Sequence, residues 1–240
     1  MEFILGIGLA LPIVTSTGVS VVTGVAQGVS EQKKQNADAS NQTRMLKFHV
    51  DVRVSDPKQR QGKGGDLNDY IVTLRNDKVW VEPKSAITRL PEDVAHHPFT
   101  GFYLAYPDEN RAFTRGLVST ISVDPPVLNW IYVNKDTLEV EYATRTGSIK
   151  HHVGSYDWTS ENSADSCITL DDFEGFVALE EQPGQWALYF DYDDDGLKNI
   201  KMGRRTIEVS LVRRVISDQE TNKWGLNNEG NIGFRKTREV

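Results

Sequence analysis

The chain has 240 residues, 38% hydrophobic and 25% charged, with a formal net charge of −7 and one cysteine, Cys167. This balance argues against disorder of the whole chain and rules out a disulfide within it. It also gives no broad basic footprint for nucleic acid. A lone thiol favours a reducing, intracellular compartment over secretion.

From Phe3 to Ser30 there is no Lys, Arg, Asp, Glu or His, and Glu2 is the only charge before Glu31. Phe3–Val14 is almost purely apolar, broken by Pro12; Thr15–Ser30 mixes Val, Gly, Ser and Thr. Read as a helix, residues 1–30 place Ser16, Ser20, Thr23, Gln27 and Ser30 along one stripe, with Val22, Ala26 and Val29 on another face. Gly24 and Gly28 form a GxxxG pair, and small residues of this kind let helices approach closely in lipid. The expected partner is another copy of the chain, membrane lipid, or both. A 28-residue helix is about 42 Å long, more than a hydrocarbon core of about 30 Å requires. Lys33, Lys34, Arg44 and Lys47 follow the segment, so the positive-inside rule puts the remaining chain on the cytoplasmic face. Glycines and Pro12 weaken a helix in water, so an arm docked on the following domain, or a strand, is the alternative. A cleaved signal peptide is disfavoured by Glu2 and by the length of the uncharged run, a transit peptide by the absence of arginine.

Residues 31–45 read as a polar linker, 46–216 as a β domain and 217–240 as a polar tail. Phe48–Val54 alternates strictly, as a strand with one buried face does. Tyr70–Arg75, Asn76-Asp77 and Lys78–Glu82 read as a hairpin. Further strands are expected at Phe99–Tyr106, Leu117–Val123, Val127–Val133, Leu138–Tyr142, Ser148–Val153, Phe176–Glu181, Trp186–Tyr192 and Thr206–Arg213. The fold class is all-β: an antiparallel β-sandwich or barrel of about a dozen short strands, preceded by a hydrophobic N-terminal helix. No internal repeat of fixed period is evident. The expected core includes Val50, Val52, Ile71, Val72, Trp80, Phe102, Leu104, Trp130, Tyr132, Val140, Phe176, Val177, Trp186, Leu188, Phe190, Val209 and Leu211. Trp158 and Trp224 lie in loop-like surroundings and are the candidates for exposed aromatics.

Asp191-Tyr192-Asp193-Asp194-Asp195-Gly196 matches the opening of a calcium loop, with Asp191, Asp193 and Asp195 as candidate Ca2+ ligands. The closing glutamate is missing, since Met202 stands at the twelfth position, and a strand rather than a helix precedes the loop. The plainer reading is a solvated acidic turn balanced by Lys198, Lys201, Arg204 and Arg205. His96-His97 and His151-His152 lack metal-ligand spacing, and neighbours on a strand point to opposite faces. Glu139 and Glu141 share a strand face, as a glycosidase pair does, and as exposed strand glutamates commonly do. Arg204-Arg205 and Arg213-Arg214 read as ion-pair partners. No phosphate cradle or nucleophile motif is present, so no catalytic residue is assigned.

The stretches His97–Tyr103, Gly116–Ser122, Pro125–Val133, Thr137–Tyr142, Asp157–Thr159, Phe173–Trp186, Asp191–Leu197 and Arg204–Arg214 resemble a protein family of filamentous ascomycete fungi. The resemblance covers roughly residues 46–214. It implies a fungal, intracellular protein with one coherent domain and carries over no activity. The start of the chain is similar in composition to membrane-active N-terminal helices of fungal cell-death proteins. The expected function is non-enzymatic: a β domain that self-assembles or joins a membrane through its N-terminal helix. The alternatives are a calcium-linked carbohydrate- or ligand-binding module and a hydrolase with dispersed carboxylates.

Overall fold

The computed structural model describes residues 45–55, 67–108, 110–123, 126–160 and 165–216. The expected N-terminal helix, its seam residues Ser16, Ser20, Thr23, Gly24, Gln27 and Gly28, most of the linker, the C-terminal tail and Trp224 lie outside them. Among the described residues the strands fall into three successive units. The first holds β1 (Phe48–Val54), β2 (Tyr70–Arg75), β3 (Lys78–Pro83), β4 (His97–Pro98) and β5 (Gly101–Ala105). The second holds β6 (Arg115–Val123), β7 (Pro126–Val133), β8 (Val140–Ala143), the single turn α1 (Arg145–Ser148) and β9 (Tyr156–Trp158). The third holds β10 (Ile168–Leu170), β11 (Phe176–Gln182), β12 (Gln185–Phe190) and β13 (Thr206–Val215).

The outer strands of the units form a ring. β1 pairs antiparallel with β13 from Phe48↔Val215 to Val54↔Val209 and touches β5 at Phe48↔Gly101. β5 pairs with β6, and β9 with β10. A bridge, Cys167↔Val212, ties the start of β10 to β13, and an Arg115–Asp157 ion pair ties β6 to β9. The inner strands of each unit form hairpins, β2–β3, β7–β8 and β11–β12, that meet one another at Lys78↔Glu141, Ala187↔Trp80 and Glu139↔Tyr189. The architecture is therefore a capped barrel, one of the two forms expected, and not a two-sheet sandwich.

Four core side chains recur in order in each unit: Val50, Val72, Val79, Phe99; then Leu117, Ile131, Val140, Tyr156; then Ile168, Phe176, Leu188, Leu211. Together they enclose a cavity of about 20 Å³ on the axis relating the units. Each such burial contributes roughly 1.5–3 kcal/mol. The repeat escapes the sequence because the spacing from Val50 to Leu117 differs from that between Leu117 and Ile168, so no fixed period exists. Local chemistry sets the turns. Asn76 and Asp77 take φ of 52° and 61°, the twist a two-residue hairpin requires. At Gly101 a Cβ would sit 2.1 Å from the Val118 carbonyl oxygen, so no larger residue fits where β5 crosses β1 and β6.

Several expectations change. Ser148–Val153 is not a strand. Ser148 and Ile149 donate backbone bonds to Thr144 (3.0 Å) and Arg145 (3.0 Å), making a helical turn, and the Ser148 hydroxyl meets the Tyr106 hydroxyl at 2.9 Å. Only a bridge between His152 and Val133 remains of the expected pairing. Trp158 is buried in β9, edge-on to Tyr103 at 4.9 Å and under the Arg213 guanidinium at 4.1 Å. Leu104 and Trp130 are half-buried, not core; the rest of the expected core is buried. Trp130 lies over Gly116, whose missing side chain leaves room for the ring.

Candidate functional site

An open groove of about 350 Å³ lies where β2 and β3 meet the start of β12 and the loop 84–96. Strand pairing builds its floor: Trp186 opposes Val81, and Ile71 opposes Glu82. Arg75 and Glu82 lie on the same hairpin, and Arg75 Nε donates to Glu82 Oε1 at 2.8 Å while its guanidinium covers the Trp80 ring at 3.9 Å. The other Glu82 oxygen lies 2.8 Å from His96 Nδ1. His96 Nε2 is 3.7 Å from the Asp93 carboxylate. The loop that delivers His96 and Asp93 is pinned by its own backbone: Ser85 donates to Leu90 (2.9 Å), Glu92 to Pro83 (3.0 Å) and His96 to Asp93 (3.1 Å). Gln185 and Gly184 form the far rim, with Gly184 N donating to Glu180 Oε1 at 2.9 Å. Trp186 itself is buried, with the Arg205 guanidinium 4.9 Å from its ring. The groove therefore presents hydrogen-bonding edges, not an aromatic platform. Its carboxylates (Glu82, Glu92, Asp93) accept and its Arg75 and Gln185 donate.

The residues singled out in the sequence are deployed elsewhere. The Asp191 side chain is buried and caps its own loop, accepting from the backbone N–H of Gly196 at 2.7 Å, Leu197 at 3.2 Å and Asp195 at 3.4 Å. Asp195 Oδ1 accepts from Lys198 N at 3.0 Å. Asp193 is exposed. Among the described residues no cluster of three or more His, Cys, Asp or Glu side chains is placed to hold a metal ion. Glu139 and Glu141 have separate partners. Glu139 takes Lys78 at 3.3 Å and the Tyr189 hydroxyl at 3.0 Å; Glu141 takes the Tyr132 hydroxyl at 2.6 Å and Asn134 Nδ2 at 2.9 Å. Burial first, then the Glu181 and Glu139 carboxylates, push the Tyr189 phenol well above its ordinary value, so it stays a donor. His97 meets Thr120 at 3.1 Å, and His151 stacks on Tyr132 at 4.9 Å. Arg205 pairs with Glu180 at 3.2 Å, and Arg214 with Asp51 at 3.3 Å, the expected ion-pair role for one member of each basic doublet, whereas Arg204 donates to the carbonyls of Lys201 (3.1 Å) and Ile200 (2.9 Å) and Arg213 lies over the Trp158 ring.

Three units of four core positions, a six-stranded ring and three capping hairpins together describe one architecture. The family description "fungal beta-trefoil domain" matches residues 24–217, well over half of the chain. The chain belongs to that family. No match was found among curated proteins or among solved structures. For this fungal β-trefoil the fungal and all-β readings of the sequence stand. The groove was missed because its parts are scattered: Arg75 and Glu82 flank a hairpin turn, whereas His96 and Gln185 arrive from distant segments. Its one sequence signal is His96, which the sequence offers only as half of a histidine doublet.

Proposed function

We propose that this β-trefoil is a non-catalytic recognition module whose groove binds a hydroxyl-rich ligand of the carbohydrate class. The observation that carries the reading is the wired floor Arg75–Glu82–His96, with the donors and acceptors of Gln185, Glu92 and Asp93 around it. Such fixed polar edges lower the cost of ordering a ligand's hydroxyl groups. On this reading the groove binds its ligand without turning it over. The reading requires no calcium, because the Asp191 carboxylate is already used by backbone donors. The test is saturation-transfer NMR of the full chain, kept in a polyoxyethylene detergent free of sugar headgroups, with a panel of mono- and disaccharides. Binding by one sugar class, weakened at least tenfold in Asp93→Asn/Gln185→Ala, is the expected result. If no sugar binds at millimolar concentration, or the double variant binds unchanged, the reading is wrong.

The uncharged run Phe3–Ser30 supports a second element of the same reading. It tethers the module to a membrane or to other copies, through a seam of Ser16, Ser20, Thr23, Gly24, Gln27 and Gly28, and so holds the trefoil on the cytoplasmic side. Clustered copies raise the avidity of a weak site. Deleting residues 2–30 should abolish liposome pelleting or reduce the particle mass. A deletion that changes neither removes the tether.

A further inference from the structure

A second cleft, of about 550 Å³, opens between β1, β13 and the loop 84–96. Among the described residues its lining carries five cationic side chains, Arg53, Lys84, Arg89, Arg213 and Arg214, against two carboxylates, Asp51 and Asp165. In a chain of net charge −7 this is a segregation of charge, not an average. Three of the cations converge on one carboxylate oxygen. Asp51 Oδ2 lies 2.7 Å from Arg89 Nη2, 3.2 Å from Lys84 Nζ and 3.3 Å from Arg214 Nε. The side chains of Asp51 (13% exposed) and Lys84 (11% exposed) lie at the base of the cleft, whereas Arg89 (56% exposed) stands at its mouth, open to an incoming anion. Burial by itself would raise the Asp51 carboxyl, but Arg214, Lys84 and Arg89 outweigh it and hold it below its ordinary value.

The way Arg89 reaches this point is the second observation. Its backbone takes φ of +56°, a region that disfavours side chains, and its carbonyl is held there by Arg214 Nη2 at 2.7 Å. One salt bridge satisfies a buried carboxylate. A strained residue that adds a third cation overfills it, which points to function. We infer that the cleft is an anion site that binds a phosphate-bearing ligand, with Arg89, Lys84 and Arg214 as its cationic contacts and Asp51 as the internal anion that positions them. Arginine forks match phosphate oxygens in pairs, and the cleft volume suits a small ligand. The inference is independent of the groove.

Calorimetry on the full chain in polyoxyethylene detergent tests it, with inorganic phosphate titrated at chloride-balanced ionic strength. A parallel arm measures binding to phosphatidylcholine vesicles with and without phosphatidylinositol 4-phosphate. Heat with inorganic phosphate identifies a soluble ligand; a gain on phosphoinositide vesicles alone identifies a lipid headgroup; either supports the site. Arg89→Gln should weaken that binding at least tenfold. Its side chain is 56% exposed, so the core is untouched. Arg111→Gln, whose partner is Asp108, should leave binding unchanged. Asp51→Asn removes the competing anion and should tighten phosphate binding if it folds; if it does not fold, Arg89→Gln alone decides. No binding in either arm, equal effects of Arg89→Gln and Arg111→Gln, or weaker binding by folded Asp51→Asn would each overturn the inference.

Discussion

Tyr156→Phe should stabilise the protein. Tyr156 is 1% exposed and occupies the position that Phe99 and Leu211 hold in the other two units. Its hydroxyl has no hydrogen-bond partner among the described residues. Burial first, then the fields of Tyr192, Asp171 and Tyr103, drive its phenol far above the ordinary value, so the proton never leaves to relieve the group. A buried, unpaired hydroxyl costs about 1–3 kcal/mol. Removing it opens a void on the order of 15 Å³, which at about 24 cal/mol per Å³ loses only ~0.4 kcal/mol. The net gain is ~1–2 kcal/mol, or a Tm higher by roughly 2–8 °C for a domain of this size. Urea unfolding at pH 7 measures it, with an unchanged m-value showing that the change lies in stability and not in compactness. A loss of 1 kcal/mol or more would refute the reasoning, because it would mean that the axial cavity holds a partner for the hydroxyl.

Two further outcomes follow from the same bookkeeping of polar groups. Asp191→Ala removes the acceptor of three backbone N–H groups and should cost ~1–3 kcal/mol in urea without calcium, whereas Asp193→Ala, at an exposed position, should stay within about 0.5 kcal/mol; equal costs would contradict the capping role. His97 is held below its ordinary pKa by burial, only partly offset by its bond to Thr120. Its folded form thus binds fewer protons than the unfolded chain, and its contribution, full above the unfolded value near 6.5, falls as pH drops through the lower folded value. Between pH 7 and 5 the wild type should therefore lose more stability than His97→Gln, and identical losses by urea titration would exclude His97 as the source.

The long strands were legible because their chemistry is local. Phe48–Val54 begins and ends where alternation says, Tyr70–Arg75 where the hairpin reading puts it, and Asn76-Asp77 supplies a turn with the required left-handed backbone. β9 and β10, three residues each, are too short to show a period of two. They exist because Ile168 pairs with Trp158 across a short loop and Cys167 bridges to Val212, a contact between segments far apart in the chain. That is why Trp158 read as a loop residue and is instead core. The acidic run at 191–196 was legible as a special turn, but not as one that spends its first carboxylate on its own backbone. The groove and the cleft were not legible as sites, although His96 and Arg213-Arg214 stood out singly. Both depend on where the loop 84–96 carries Arg89, Asp93 and His96, and such a loop has no periodicity to read.

That loop also joins the two sites. Lys84 and Arg89 line the cleft, whereas Glu92, Asp93 and His96 line the groove. A bridge, Lys84↔Pro91, and the bond from Glu92 N to the Pro83 carbonyl close the loop on itself between the two sets. An anion bound as proposed would compete with Asp51 for Lys84 and Arg89, and so would loosen or reset the base of the loop that presents Asp93 and His96. Ordering the loop from one side changes what remains to be ordered from the other, and any such coupling must be equal in both directions. If both proposals hold, the cationic cleft would tune the hydrogen-bonding edges of the groove, and a change in sugar affinity on adding phosphate, absent in Arg89→Gln, would be the signature.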